Sequence, residues 1–127
     1  MIAIDTSALM AIVLGEAAAD PCMRALETEA ELVISAGTVA EALIVAARRN
    51  VGDEMTRLID GLGLDIVSVT PASARRIAAA YGQWGRGAHS AGLNFGDCLS
   101  YELAKEHACP LIYVGDDFSK TDLTSAV

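Results

Sequence analysis

Four short, largely apolar runs alternate with longer stretches of helical periodicity, and this alternation constrains the chain more than any other feature. The runs are residues 2–4, 32–35, 64–69 and 110–114. A strand wetted on one face alternates apolar and polar residues, whereas a continuous run reads as a strand buried on both faces. Between the runs, apolar residues return every three or four positions, as Val39, Leu43 and Ala46 do after the second run. Strands alternating with helices predict a parallel sheet covered on both sides and joined by right-handed crossovers. The expected fold is α/β, a three-layer α/β/α sandwich with a short central parallel sheet, as one domain over residues 1–127.

Helices are expected over residues 8–14, 17–29, 37–49 and 53–62, with Pro21 in a first turn and Asp53 as a cap. Thr70-Pro71 starts another helix, whose stripe of Ile77, Tyr81 and Trp84 reads as core. Residues 85–93, rich in glycine, read as a mobile loop, and Gly96-Asp97 opens a helix to about residue 107.

Composition removes several classes of function. Hydrophobic residues make up 53% of the chain, too many for disorder. No apolar run approaches the roughly 20 residues of a membrane span. No base precedes the first apolar run and Asp5 interrupts it, so no secretory signal is expected and the protein reads as cytoplasmic. Cys22, Cys98 and Cys109 are odd in number and lack paired spacing, which favours buried thiols over disulfides or zinc. The net charge of −8 argues against a broad basic surface for nucleic acid, though not against phosphate reached through a bound cation.

The acids are placed unevenly. Asp5 and the pair Asp116-Asp117 directly follow apolar runs, Glu41 lies early in the helix after the second run, and Asp97 begins its own helix. In a parallel sheet the first, second and fourth strands deliver their acids to one edge, where open α/β sheets hold ligands. Each acid also has a local explanation. Asp5 and Asp97 can cap helices, Thr38 and Glu41 match a capping box, and Asp116-Asp117 suits a turn. Carboxylates gathered within a few ångströms repel, and some take up protons unless a cation lies between them. Oxygen donors with few histidines favour Mg²⁺ or Mn²⁺, and such an ion can acidify water for attack on phosphorus.

The segments Ile4-Asp5-Thr6-Ser7-Ala8, Gly92-Leu93-Asn94-Phe95-Gly96-Asp97-Cys98 and Gly115-Asp116-Asp117-Phe118, with Glu41 after a Ser-bearing strand end, carry a family likeness. On them the sequence resembles the PIN-domain ribonucleases, specifically the VapC toxins of bacterial toxin–antitoxin pairs. The resemblance implies a Mg²⁺-dependent endoribonuclease with Mn²⁺ as a substitute. Asp5 and Asp97 would be the principal metal ligands, Glu41 the third acid, and Asp116 or Asp117 the fourth, with Asp117 favoured. Ser7 and Asn94 would orient the carboxylates. The implied partners are RNA as substrate, a small antitoxin with a basic segment, and a second copy in a homodimer. One departure stands out: many relatives carry Thr or Lys near the position of Val114-Gly115.

Arg86 and His89, in the glycine-rich stretch, are further candidates for contact with RNA phosphate, against a merely solvated loop. Arg48 and Arg49 are explained by a helix carboxyl end. Two rivals remain. One is a catalytically silent module of the same fold, acting through its antitoxin or dimer interface. The other is a phosphoacceptor receiver-like domain, which lacks the lysine it needs after the last strand.

Overall fold

In the computed structural model, which describes residues 1–127, the chain runs β1 (Ile2–Ile4), α1 (Thr6–Leu14), α2 (Ala19–Thr28), β2 (Leu32–Ser35), α3 (Ala36–Arg48), α4 (Gly52–Gly61), β3 (Asp65–Val67), α5 (Pro71–Trp84), α6 (Phe95–Glu106) and β4 (Leu111–Ile112). A short 3-10 turn, Phe118–Lys120, follows β4. The strands lie in the order β3-β2-β1-β4, and every pair is parallel. Ile2 lies opposite Leu32 and Ala3 opposite Leu111, so β1 is flanked on both edges and fully buried.

The alternation of side chains along the strands divides the core in two. Ile2, Ile4, Leu32 and Ile34 face Leu9, Leu26, Ala42 and Met55 of α1 to α4. Ala3 and Val33 face the opposite way, onto Ile77, Leu99 and Leu103 of α5 and α6. The result is the three-layer α/β/α arrangement that the alternation predicts. Cys22 packs in the first cluster and Cys98 in the second, both as free thiols. Arg76 fastens α5 to α6 by reaching Glu102 and Glu106, each at 3.4 Å. No helix is long and apolar enough to cross a membrane.

Local details depart from the sequence expectation. Asp53 does not cap α4; the cap position is Val51, with no side-chain bond. β3 is shorter than its apolar run, and Asp65 and Ile66 are exposed because β3 is an edge strand. Tyr81, expected in the core with Ile77, is 42% exposed, since only part of the α5 stripe meets α6. Residues 85–93 are not a loose loop. Gly85 bridges Leu93, and the Gly85 carbonyl accepts from the N–H groups of Ala88 and His89.

All four strands point their carboxyl ends to one edge of the sheet. The chain leaves β1 toward β2 on one side and returns as β4 on the other, so the order reverses beside β1. That reversal opens the crevice in which open α/β sheets place ligands.

Candidate active site

Asp5 is the first residue beyond β1 and is 4% exposed. Its Oδ2 accepts from the Ser7 N–H at 3.0 Å and the Ser7 hydroxyl at 2.6 Å. Its Oδ1 accepts from the Ser100 hydroxyl at 2.6 Å. Capping of α1 therefore accounts for one oxygen, while the other is held from 95 residues away. The Ser7 hydroxyl also accepts from the Val114 N–H at 3.0 Å, tying the ends of β1 and β4 together at the acid. Ser100 lies one helical turn after Asp97, on the same side of α6. That spacing was its only trace in the sequence.

Glu41 does not form the capping box that its spacing from Thr38 permits. Ser35 caps α3, through the N–H of Gly37, and the buried Thr38 hydroxyl has no partner. The Glu41 carboxylate reaches across to Thr6, whose hydroxyl donates to Oε1 at 2.6 Å. It also lies over Gly96: a Cβ there would overlap the carboxylate, with Glu41 Cδ only 2.6 Å away. The absent side chain at 96 thus makes the space in which Glu41 approaches α6. Thr6, Ser100 and Gly96 are the residues that sequence reasoning did not assign.

Asp97 stands at the third position of α6 in a reciprocal box with Asn94. The Asn94 Oδ1 accepts from the Asp97 N–H at 2.8 Å, and Asp97 Oδ2 accepts from the Asn94 N–H at 3.0 Å. Asn94 therefore orients the Asp97 carboxylate through its backbone rather than its amide. Burial, above all, raises the Asp97 carboxyl to about 6; the Asn94 N–H opposes this, and the charges of Asp5, Asp117 and Glu41 push it up further. Four acids from four separate segments thus share one electrostatic neighbourhood. Asp117 belongs to it.

Arg86 lines a cleft with Asn94 and Phe95, beside the acids. It has no carboxylate within 4.0 Å, the limit for an ion pair. His89 is turned elsewhere. Its Nδ1 accepts from the Ala91 N–H at 3.0 Å, and its ring meets Trp84 edge-on at 4.7 Å.

The donor set at the sheet edge is made of carboxylate oxygens, without histidine or cysteine, which suits a hard divalent cation. No three acidic, histidine or cysteine side chains form a ready-made cage. Mg²⁺ does not require one, because it is commonly held by one or two carboxylates and completes its shell with water and phosphate. A cation between Asp5 and Asp97 also answers the crowding of charge that raises Asp97. The residues fit such an ion.

The family profile described as PIN domain matches residues 2–123. The chain is similar to ribonuclease VapC42 of Mycobacterium tuberculosis H37Rv, at 39% identity over 127 residues that cover 97% of each chain. Its fold is similar to that of VapC20 of M. tuberculosis, described as a sarcin-ricin loop cleaving toxin, with TM-score 0.78, 15% identity, and 98% of this chain and 97% of that one covered. It is also similar to a toxin–antitoxin complex from Klebsiella pneumoniae, with TM-score 0.71, 21% identity, and 96% and 93% covered. On the profile and on the identity to VapC42, the chain belongs to the PIN domain family and, within it, to the VapC proteins.

Proposed function

We propose that this protein is a Mg²⁺-dependent endoribonuclease and the toxin of a toxin–antitoxin pair. The observation that carries the reading is the gathering of Asp5, Glu41, Asp97 and Asp117 at one sheet edge, whose charges add to the burial that raises the Asp97 carboxyl to about 6. The names of the VapC ribonuclease relatives support RNA as the substrate class.

Asp5 and Asp97 would hold the ion, with Glu41 and Asp117 completing the site. When bound, Mg²⁺ supplies the Lewis acidity that makes water nucleophilic at neutral pH and offsets charge on the phosphate. The chain's own residues do the positioning. Ser7 and Ser100 fix the two oxygens of Asp5, and the Asn94 N–H fixes Oδ2 of Asp97. Thr6 holds Oε1 of Glu41, which leaves Oε2 without a protein donor. Oε2 is the atom that takes a proton from an attacking water. Arg86 would meet RNA phosphate.

A basic antitoxin segment complements the same acids, because an arginine paired with two carboxylates excludes both metal and substrate. The toxin–antitoxin complex among the structural neighbours supports such a partner. The homodimer implied by the family is tested by light scattering, which should give twice the chain mass.

The deciding experiment incubates the purified, folded chain with single-stranded and hairpin RNA, with Mg²⁺ and with EDTA. Cleavage that needs the divalent ion is the expected result. A folded wild type inert with both Mg²⁺ and Mn²⁺ would instead establish a silent binding module.

The geometry also predicts that Gly96→Ala separates activity from stability. Alanine gains about 1 kcal/mol of helix propensity over glycine. The clashing atom is the end of a flexible side chain, so Glu41 moves rather than the backbone. A misplacement of about 1 Å lowers a rate by about 100-fold. Thermal unfolding should therefore stay within a few degrees of wild type while cleavage falls by about that factor. Undiminished cleavage would remove Glu41 from the reacting geometry.

A further inference from the structure

Phe95 is the first residue of α6, two positions before Asp97, and its side chain is 70% exposed. A single exposed apolar residue is ordinary. This one is not isolated: with Tyr81, itself 42% exposed, it walls an open cleft of about 530 Å³. Ala74, Ile77 and Ala78 of α5 make an apolar floor of mostly small side chains. Arg86 and Asn94 supply the polar groups at its rim.

Neither Phe95 nor Tyr81 is paired with another ring. The ring pairs of the molecule are Trp84 with His89, Trp84 with Tyr101, and Tyr113 with Phe118. Phe95, the more exposed of the two, therefore has a ring free to meet a ligand. Arg86 is also uncommitted, unlike Arg76, which two glutamates hold. A free guanidinium in a chain of net charge −8 makes this side of the acidic mouth suited to a phosphate.

We propose that Phe95, Tyr81, Arg86 and Asn94 form a nucleotide subsite that receives an unpaired base next to the scissile phosphate. The proposal rests on the ribonuclease reading and adds the part of the substrate that the acids do not hold. Unpaired bases are recognised by stacking on aromatic rings and guanidinium planes, with hydrogen bonds along their edges. The cleft offers each of these: a ring at its mouth, a guanidinium for the adjoining phosphate, and a side-chain amide. Its volume falls within the range of small-molecule sites. Asn94 belongs to both places, as a wall of the cleft and as the partner of Asp97, so a base seated here lies beside the reacting centre. The cleft on the other flank of Phe95, walled by Ile44 and Val69, contains no cation and lies outside the proposed subsite.

The probe is a single-stranded pentaribonucleotide carrying 2-aminopurine, whose fluorescence is quenched on stacking, titrated in EDTA at low salt. Wild type is expected to quench it. Because stacking on one aromatic ring contributes 1–3 kcal/mol per base, Phe95→Ala should weaken binding about 5- to 150-fold. Phe95→Trp, which keeps a stacking face, should bind like wild type. Arg86→Ala should weaken binding and flatten its salt dependence. Phe95 is exposed, so its variants fold, and circular dichroism verifies this.

Absence of quenching by wild type, or equal binding by Phe95→Ala, overturns the subsite. It is also overturned if Phe95→Ala halves the particle mass in light scattering, which would show that a second copy covers this face. Failure of the nuclease reading looks different. Binding that depends on Phe95, in a protein that cuts no RNA with Mg²⁺, leaves the subsite standing and removes the catalytic assignment.

Discussion

Replacing Asp97 by asparagine is expected to lower RNA cleavage by orders of magnitude while making the metal-free protein more stable. The two effects share one cause. Burial and then the neighbouring acids lift the Asp97 carboxyl from 3.8 to about 6, so above that pH the folded protein carries a charge its surroundings disfavour. In this range the native state holds more protons than the unfolded chain, and stability falls as pH rises from about 4 through about 6. A shift of this size corresponds to about 2–3 kcal/mol at neutral pH. Asparagine removes the charge yet keeps an oxygen that can accept from the Asn94 N–H, so the α6 cap survives. Urea unfolding in EDTA at pH 4 and pH 7 should show the two proteins diverging only at the higher pH, with the variant ahead. Mg²⁺ should then raise the stability of wild type more than that of the variant. A variant no more stable than wild type at pH 7, or one that still cuts RNA, would take Asp97 out of the site.

Asp5→Asn should lower cleavage as severely but move stability the opposite way. Asp5 is almost fully buried and accepts three hydrogen bonds, from the Ser7 N–H, the Ser7 hydroxyl and the Ser100 hydroxyl. An asparagine offers one acceptor oxygen and turns an amide donor toward a partner that had been donating. Either Ser7 or Ser100 must reorient, and a buried polar group left unpaired costs about 1–3 kcal/mol. The expected result is a lower urea midpoint at pH 7 with an unchanged denaturant slope. Ser100→Ala should reproduce part of that loss, since it removes the donor to Oδ1. Wild-type stability in both variants would mean that the bond between α6 and the end of β1 contributes nothing to the fold.

These opposite signs mark where local and long-range information part. The positions of Asp5 and Asp97 near helix starts were legible because capping is a property of neighbouring residues; Asp5 does cap α1, whereas Asn94 caps α6 and Asp97, the third helical residue, bonds back to it. Glu41 shows the limit of that reading. Its spacing from Thr38 fits a capping box, but its carboxylate lies beside Thr6 and over Gly96, and the longer-range partner takes it. The α5 stripe is similar: period 3.6 identified a face containing Ile77 and Tyr81, but not how much of that face α6 would cover. Glycine content suggested mobility for residues 85–93, yet the bridge between Gly85 and Leu93 ties the two ends of that segment together.

The order of residues alone determined the strands and helices, their parallel arrangement in three layers, and the delivery of acids to a single sheet edge. Those follow from short apolar runs, from the 3.6 period between them and from the turn chemistry of adjacent residues, which need no knowledge of distant contacts. Only the tertiary structure decided that Ser100 and Thr6 hold the acids and that Gly96 makes room for Glu41. A hydrogen bond or a charge interaction depends on ångström separations between segments 35 to 95 residues apart, and those distances exist only once the sheet has packed.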